Sequence, residues 1–291
     1  MATLAAGVLW TVPTACHRSA AQKPAASAGQ PRVISLSPAI SKTMVDFGLQ
    51  NLIVGRTPHC ASLDQSIPVV GDLMNFDYEQ AIRLRPTHIL VQPPESGVDP
   101  HLTEVAREQG WKVSAWRLTS LEDIETMVRD LPGALFQPTS AEFSDASRKA
   151  AAFMNDMAEA LSPGSKPMFR GPVMMLYSVA PVSVFGKNTY LDGILTALGG
   201  TNATEARDWV TFSLEDVVRI NPQAIIVVKP GAKPENVSSA IGSVWDLDIA
   251  AVTERRLAIL THPDAFMPCT GVVGVARELR KILESFEAEQ P

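Results

Sequence analysis

Four side chains in this chain carry the donor atoms of a transition-metal site: His59, Cys60, His262 and Asp264. A zinc-type centre needs three or four nitrogen, sulfur or oxygen donors converging on one point. None of the four stands at a ligand spacing, and His262-Pro263-Asp264 also reads as ordinary turn chemistry. His17 lies in a polar N-terminal stretch and His88 in an apolar run, so neither improves the set. The sequence has no glycine-rich phosphate loop, no Gly-x-Ser-x-Gly elbow and no HExxH helix. These residue types favour binding over turnover. Direct zinc- or manganese-type capture and an enzyme cleft stand as the alternatives.

Two acids, Glu79 and Glu215, sit inside a segment that the chain uses twice. Phe76 to Val91 reappears as Phe212 to Val227 at a constant offset of 136, with Phe, Glu, Arg, Pro, Ile and Val in register. Each copy reads as a polar helix start, apolar residues at helical spacing, a proline stop and a short β-rich run. Two copies this far apart do not make a solenoid. They predict two similar α/β lobes with a cleft between them. In each copy the glutamate falls in the first helical turn, where negative charge suits the helix dipole. An arginine follows four residues on, Arg83 and Arg219, a pairing worth about 0.2–0.5 kcal/mol.

Of 291 residues, 46% are hydrophobic and 19% charged, which suits about two domains with full cores. The net charge of −6, without a basic run, argues against nucleic-acid binding. No apolar span is long enough for a membrane-embedded body. Residues 1–15 are apolar and small and read as a secretory signal peptide. Cys16 follows at once, and residues 16–30 are an Ala/Ser/Pro-rich tether unable to pack a core. Thr14-Ala15-Cys16 resembles the end of a bacterial lipobox, which makes Cys16 the lipidation site. Pro13 and the absence of a basic residue before Cys16 depart from that pattern. In an exported protein Cys60 and Cys269 could pair, but a bridge would fasten the two halves together. Two free, partly buried thiols are the expectation.

Arg32 to Leu36 reads as a strand, and Ser37-Pro38 as a helix N-cap followed by proline in the first turn. Strand and helix then alternate, so mainly parallel sheets flanked by helices are predicted. A helix is expected over Leu121 to Leu131. Thr139 to Leu161 belongs to neither repeat. Thr139-Ser140-Ala141-Glu142 fits a capping box, and Ala146, Ala150, Phe153, Met154, Met157, Ala158 and Leu161 form one apolar stripe. A helix of this length spans roughly 30 Å at about 1.5 Å per residue, enough to bridge both lobes. The expected organisation is an N-terminal lobe at 31–136, a backbone helix at 137–163 and a C-terminal lobe at 164–291.

Three segments carry a resemblance: Arg32-Val33-Ile34-Ser35-Leu36-Ser37-Pro38, Val69-Val70-Gly71-Asp72 running into the first repeat, and Tyr190 to Asn202 running into the second. With the long helix between them, they resemble the helical-backbone (class III) substrate-binding proteins of ABC importers for vitamin B12, siderophores or haem. The resemblance covers about Arg32 to Leu283. It implies a ligand held between the lobes by loops at the mouth: around His59 and Cys60, over Asp72, Leu73, Met74 and Asn75, around Ser183, at Trp209, and from His262 through Asp264 and Phe266 to Thr270. It implies a tryptophan platform at Trp209, six residues before Glu215; the alternative is a tryptophan packed into its own lobe. One of the histidines would touch a metal-bearing organic ligand. Glu79 and Glu215 would dock onto arginines of a two-fold permease dimer, giving the paired acids a role beyond helix ends. The implied protein is a periplasmic or cell-surface monomer, bound to the membrane only through its lipid. It has no resident cofactor and carries a cobalt- or iron-containing chelate as its cargo.

Overall fold

The computed structural model describes residues 29–162, 164–232 and 237–288. The expected leader at 1–15, the lipidated Cys16 and nearly all of the tether at 16–30 lie outside the described residues. The first half runs β1 (Val33–Ser35), α1 (Pro38–Asp46), β2 (Ile53–Arg56), α2 (Tyr78–Leu84), β3 (His88–Val91), α3 (Pro100–Gln109), β4 (Lys112–Ala115) and α4 (Leu121–Leu135). A single long helix, α5 (Ala141–Leu161), follows. The second half begins with β5 (Pro172–Val179), β6 (Val182–Phe185), α6 (Tyr190–Ala197), β7 (Thr201–Asn202) and β8 (Trp209–Phe212). It continues with α7 (Leu214–Ile220), β9 (Ala224–Val228), α8 (Val237–Ile241), α9 (Ala250–Thr253), β10 (Leu257–Leu260) and α10 (Val272–Ala288).

The sequence repeat is a structural repeat. α2 and α7 are seven residues each, N-capped by Asp77 and Ser213. They end on Arg85 (φ 48°, ψ 57°) and Asn221 (φ 49°, ψ 62°), left-handed residues one repeat apart. The proline after each, Pro86 and Pro222, cannot continue the helix. The first sheet has the order β2-β1-β3-β4 with every pair parallel. The second has the order β10-β9-β5-β6-β8, with β7 beside β5. Here β10, β9 and β5 are parallel, while β6 is antiparallel to both β5 and β8. Only Ala180-Pro181 separates β5 from β6, far too little chain for the crossover that a parallel pair requires.

One face of each sheet feeds a single continuous apolar core. It holds Ile40, Met44, Met127 and Leu131 from the first half, Phe153 and Met157 from α5, and Leu191, Leu279 and Leu283 from the second. The opposite faces have cores of their own, around Ile34, Ile89 and Trp111 in one sheet and Met174, Leu176 and Ile225 in the other. α5 packs on α4 on one side and on α10 on the other. Its buried residues are Ala146, Ala150, Phe153 and Met157, as the stripe predicts, but Ala160 is buried and Ala158 exposed. The cap also differs from expectation. Ser140, not Thr139, is the N-cap, and its hydroxyl accepts from the Phe143 amide at 3.0 Å. With Phe143 in the reciprocating position no acid can close a capping box. α4 runs past the expected Leu131 because the Pro132 carbonyl still accepts the Phe136 amide at 2.9 Å.

Polar contacts fasten α5 at two points. Lys149 Nζ donates to the Phe47 carbonyl at 2.6 Å, just past the end of α1. Arg280 Nη2, from α10, donates to the Ala160 and Ser162 carbonyls at 2.6 and 2.5 Å, satisfying the frayed end of α5. The lobes also meet directly. The Thr270 hydroxyl donates to Asp46 Oδ2 at 2.5 Å, and Lys42 Nζ donates to the same carboxylate at 2.5 Å. Arg280→Gln should therefore destabilise the protein by about 1–3 kcal/mol, the cost of losing charge-assisted bonds to otherwise orphaned carbonyls. Calorimetry should show the melting midpoint lowered by about 2–4 °C per kcal/mol. An unchanged midpoint would mean that packing alone holds α5.

Candidate functional site

In a parallel α/β sheet the residues just past the carboxyl ends of the strands face outward together, and ligands collect there. On the first sheet these are Ser37 after β1, Gln92 after β3 and Leu118 after β4. Register brings the first two together: Ser35 pairs with Leu90, which sets Ser37 beside Gln92 two residues on. The second sheet supplies aromatics instead. Phe185, at the end of β6, pairs with Trp209 at the start of β8. The Phe185 ring lies 5.4 Å from Tyr177, 6.3 Å from Tyr190, 6.4 Å from Trp209 and 6.3 Å from Phe266, centroid to centroid. These separations are those of favourable ring–ring contacts. Buried Phe185 is thus a hub that holds two large aromatics, Trp209 and Phe266, 46% and 48% exposed.

Gln92, Leu118, Tyr177, Phe185, Tyr190, Trp209, Phe266 and Pro268 line one cleft of about 460 Å³ between the lobes. Tyr190 holds its margins in place. Its amide donates to the Thr119 carbonyl of the first lobe at 2.7 Å, next to Leu118. Its hydroxyl donates to the Ala265 carbonyl at 2.5 Å, next to Phe266. Burial raises the Tyr190 phenol above its ordinary range, so it remains a donor there. Among the described residues, the lining side chains include no carboxylate and no cation. A neutral, aromatic cleft can press against the face of a large flat molecule while leaving its charge uncompensated.

Trp209 and Phe266 are the expected ligand contacts that the structure brings into this wall. Trp209 stands at the start of a strand rather than in a loop. Cys60 requires a correction: fully buried, its thiol meets Ser41 Oγ at 3.1 Å and Thr57 Oγ1 at 3.3 Å, so it packs in the first lobe's core. His59 beside it is exposed. Ser183 is buried and shares a hydrogen bond with Thr211 Oγ1 at 3.2 Å across the β6–β8 pair. Asp72 Oδ1 accepts from the Met74 and Asn75 amides at 2.9 Å each, closing a turn on itself. Gly71, at φ 83°, allows that turn, since a Cβ there would lie 1.8 Å from the Asn75 carbonyl oxygen. Leu73 packs against the first lobe's outer core, Met74 is 86% exposed and Asn75 is exposed. None of the four lines the aromatic cleft.

His262 and Asp264 shape the loop that carries Phe266. His262 Nδ1 accepts from the Asp264 amide at 3.2 Å, and its ring lies on Gly274, where a Cβ would come within 2.2 Å of Nε2. Asp264 is buried over Gly271 and faces Lys42 Nζ at 3.8 Å. Among the described residues no three His, Cys, Asp or Glu side chains converge, so His59, Cys60, His262 and Asp264 do not form the metal set their donors suggested. Cys60 and Cys269 are free thiols, both fully rather than partly buried. Glu79 and Glu215 are exposed in the first turns of α2 and α7.

Sequence reasoning missed Gln92, Leu118, Tyr177, Phe185, Tyr190 and Pro268. The available signal was positional: Gln92 directly follows a parallel strand, and Leu118 comes three residues after the end of another. Tyr177 and Phe185 lie inside apolar strands, where nothing in the spacing separates a cleft residue from a core residue.

A helix-bridged pair of α/β lobes with exposed aromatics in the cleft between them defines a bilobal binding protein. The profile of the family described as periplasmic binding protein matches residues 33–244, and the chain belongs to that family. It is 22% identical over 232 residues to the high-affinity heme uptake system protein IsdE of Staphylococcus aureus strain Newman, covering 77% of this chain and 75% of that protein. Among solved structures it is similar to the periplasmic heme-binding protein RhuT of Roseiflexus sp. RS-1 in its apo form. That match has a TM-score of 0.68 at 20% identity and covers 90% of this chain and 100% of RhuT. The periplasmic vitamin B12 binding protein BtuF of Vibrio cholerae matches with a TM-score of 0.66 at 17% identity, covering 89% and 98% of the two chains.

Burial pushes the Cys269 thiol up to about 12. A thiol raised that far stays protonated at pH 8.5 and presents almost no nucleophilic thiolate. Iodoacetamide treatment of the folded protein at that pH, followed by peptide mapping, should leave Cys269 unmodified until denaturant is added. Rapid native-state alkylation would show that the Cys269 loop opens.

Proposed function

We propose that this chain is an exported, non-catalytic substrate-binding protein that captures a metal chelate or corrinoid and delivers it to an ABC importer permease. The ligand class comprises haem, cobalamin and ferric siderophores. The observation that carries the reading is the pair Trp209 and Phe266, two half-exposed aromatics fixed on one hub inside an interlobe cleft. Large apolar surface left in water at a concave site is the mark of a ligand platform. The heme and vitamin B12 proteins named above, which share the fold, lend support to the class of cargo. The lining supports binding over turnover, because among the described residues it offers no carboxylate, imidazole or thiol to act as acid, base or nucleophile.

In this reading residues 1–15 are a cleaved leader and Cys16 carries the lipid. The tether 16–30 leads to lobes at 31–136 and 164–291, joined by the helix region 137–163. The lipid anchors a periplasmic or cell-surface monomer. Glu79 and Glu215 are the permease contacts. Each lies at the N-terminus of a helix that precedes a parallel strand, so both acids stand at the cleft-side end of their lobes. They are not equally free. Arg83 Nη2 donates to Glu79 at 2.9 Å, whereas Arg219 turns to Asp216 and leaves Glu215 without an ion pair among the described residues. Asp216 is suited to this diversion, since hydrogen bonds from Ser213 hold its carboxyl below the usual range.

The test of the ligand reading is purification from producing cells, with absorbance and mass spectrometry of whatever co-purifies. A Soret band, a corrin spectrum or the charge-transfer absorbance of a ferric siderophore is the expected result. Trp209→Ala should then weaken binding of that ligand by about 1–3 kcal/mol, the worth of a stacked aromatic anchor. Equal affinity in the folded variant would return Trp209 to a structural role. The docking reading has its own test. Glu79→Lys combined with Glu215→Lys should leave ligand affinity intact and sharply reduce uptake, and arginine-to-glutamate changes on the permease should restore part of it. Normal uptake by the double variant would reduce both acids to helix ends.

A further inference from the structure

We infer that Gln92 donates a hydrogen bond from the first lobe to an acceptor oxygen on the rim of the ligand, and that Ser37 holds the amide in the orientation this requires. The inference rests on the ligand-binding reading of the cleft and concerns which chemistry the cleft selects.

The orientation follows from a helix cap. Ser37 is the N-cap of α1, so its Oγ accepts from the Ile40 amide, at 3.4 Å. An oxygen used as acceptor there still has its own proton to give, and that proton goes to Gln92 Oε1 at 2.8 Å. The carbonyl end of Gln92 is therefore occupied, and the amide nitrogen is the end left for the cleft. Nε2 has no partner among the described residues. The backbone makes the arrangement reproducible, because the parallel β1–β3 register sets the two side chains at the same level. Leu118, the other first-lobe member of the wall, has no polar atom on its side chain. Gln92 is thus the first lobe's polar side chain in the lining.

The remaining polar side-chain groups of the wall point to the same chemistry. The Tyr190 hydroxyl is spent on the Ala265 carbonyl. Trp209 Nε1 and the Tyr177 hydroxyl have no partner among the described residues, and an indole N–H can only donate. Amide nitrogen and indole can only donate and the phenol can do so too, the amide oxygen already accepts from Ser37, and the described lining carries no charge. A ligand that satisfies it has an apolar face for Trp209 and Phe266 and acceptor oxygens along its edge, either carboxylates or carbonyls. A buried donor left without an acceptor is costly, so such a site discriminates against ligands that lack the oxygen.

The decisive variant is Gln92→Glu. Its carboxylate can still accept the Ser37 hydroxyl, so the contact that holds the side chain is kept. The donor, however, becomes an acceptor with negative charge. Gln92→Leu, which adds no charge, separates loss of the donor from charge repulsion. Haemin, cyanocobalamin and a ferric trihydroxamate chelate would each be titrated against the full chain by tryptophan emission, with melting midpoints as the folding control. At least one probe should bind the wild type. For it, Gln92→Glu should weaken binding by about tenfold or more, and Gln92→Leu by several-fold. Ser37→Ala, which frees the amide to turn, should give a partial loss that Ser37→Thr restores. Wild-type affinity in folded Gln92→Glu or Gln92→Leu would overturn the inference while leaving the ligand-binding reading intact. If Gln92→Glu fails to fold, the leucine variant and the serine pair decide in the same way. If no probe binds the wild-type chain, the ligand class proposed above falls, and this inference falls with it.

Discussion

A continuous helix resists sharp bending because each bend breaks part of its hydrogen-bond ladder, and this chain builds both lobes against one such helix. α5 buries Phe153 and Met157 in a core that also holds Met44 and Leu131 from one lobe and Leu279 and Leu283 from the other. Separating the lobes would therefore expose core, not merely rotate a hinge. Lys149 and Arg280 tie the helix to the two sides by backbone carbonyls. The Asp46–Thr270 bond closes the lobes directly. A cleft framed this way is preorganised, and preorganisation lowers the conformational cost of binding.

The same rigidity explains how half-exposed aromatics stay in position. Trp209 stands at the start of β8, and Phe266 sits in a loop that is tied down. Phe185 supports both rings from beneath, and Tyr190 ties the Phe266 loop to the Leu118 edge through bonds at its hydroxyl and amide. The His262 ring and the Asp264 carboxylate fill the spaces over Gly274 and Gly271, so a polar pair that resembles metal ligands in the sequence serves as a wedge under the loop. Their chemistry is used to fix geometry.

What could be read from the residues was whatever depended on local pattern. The segment repeated at an offset of 136 gave two α/β units, and the structure reproduces it down to the left-handed residues that end α2 and α7. The stripe on α5 was legible for the same reason, apart from Ala158 and Ala160, where a straight apolar count cannot tell which alanine the neighbouring helices cover. Capping was off by one residue because Thr139 and Ser140 are equally good caps by type. The cleft was harder. Trp209 and Phe266 entered through resemblance, whereas Gln92 and Tyr177 depend on which strand ends lie side by side. That is a property of sheet order, which local spacing does not contain. Cys60 shows the converse error, since a cysteine beside an exposed histidine looks like a ligand contact until the loop is seen to turn its thiol into the core.

The repeat and the cleft finally obey different symmetries. α2 and α7 are near copies, and they present Glu79 and Glu215 at matching places on two lobes. Among the described residues the walls between the lobes are unlike: Gln92 and Leu118 come from the first, and the aromatics come from the second. The source of the difference is the β5–β6 hairpin. A two-residue connection forces β6 antiparallel, and β8 pairs with it, which adds to the second sheet an edge that the first lacks. That edge carries Phe185 and Trp209. Duplication thus supplies two matching exteriors, and a departure from duplication supplies the asymmetric interior. A flat ligand can then lie against an aromatic wall on one side and meet a hydrogen-bond donor on the other.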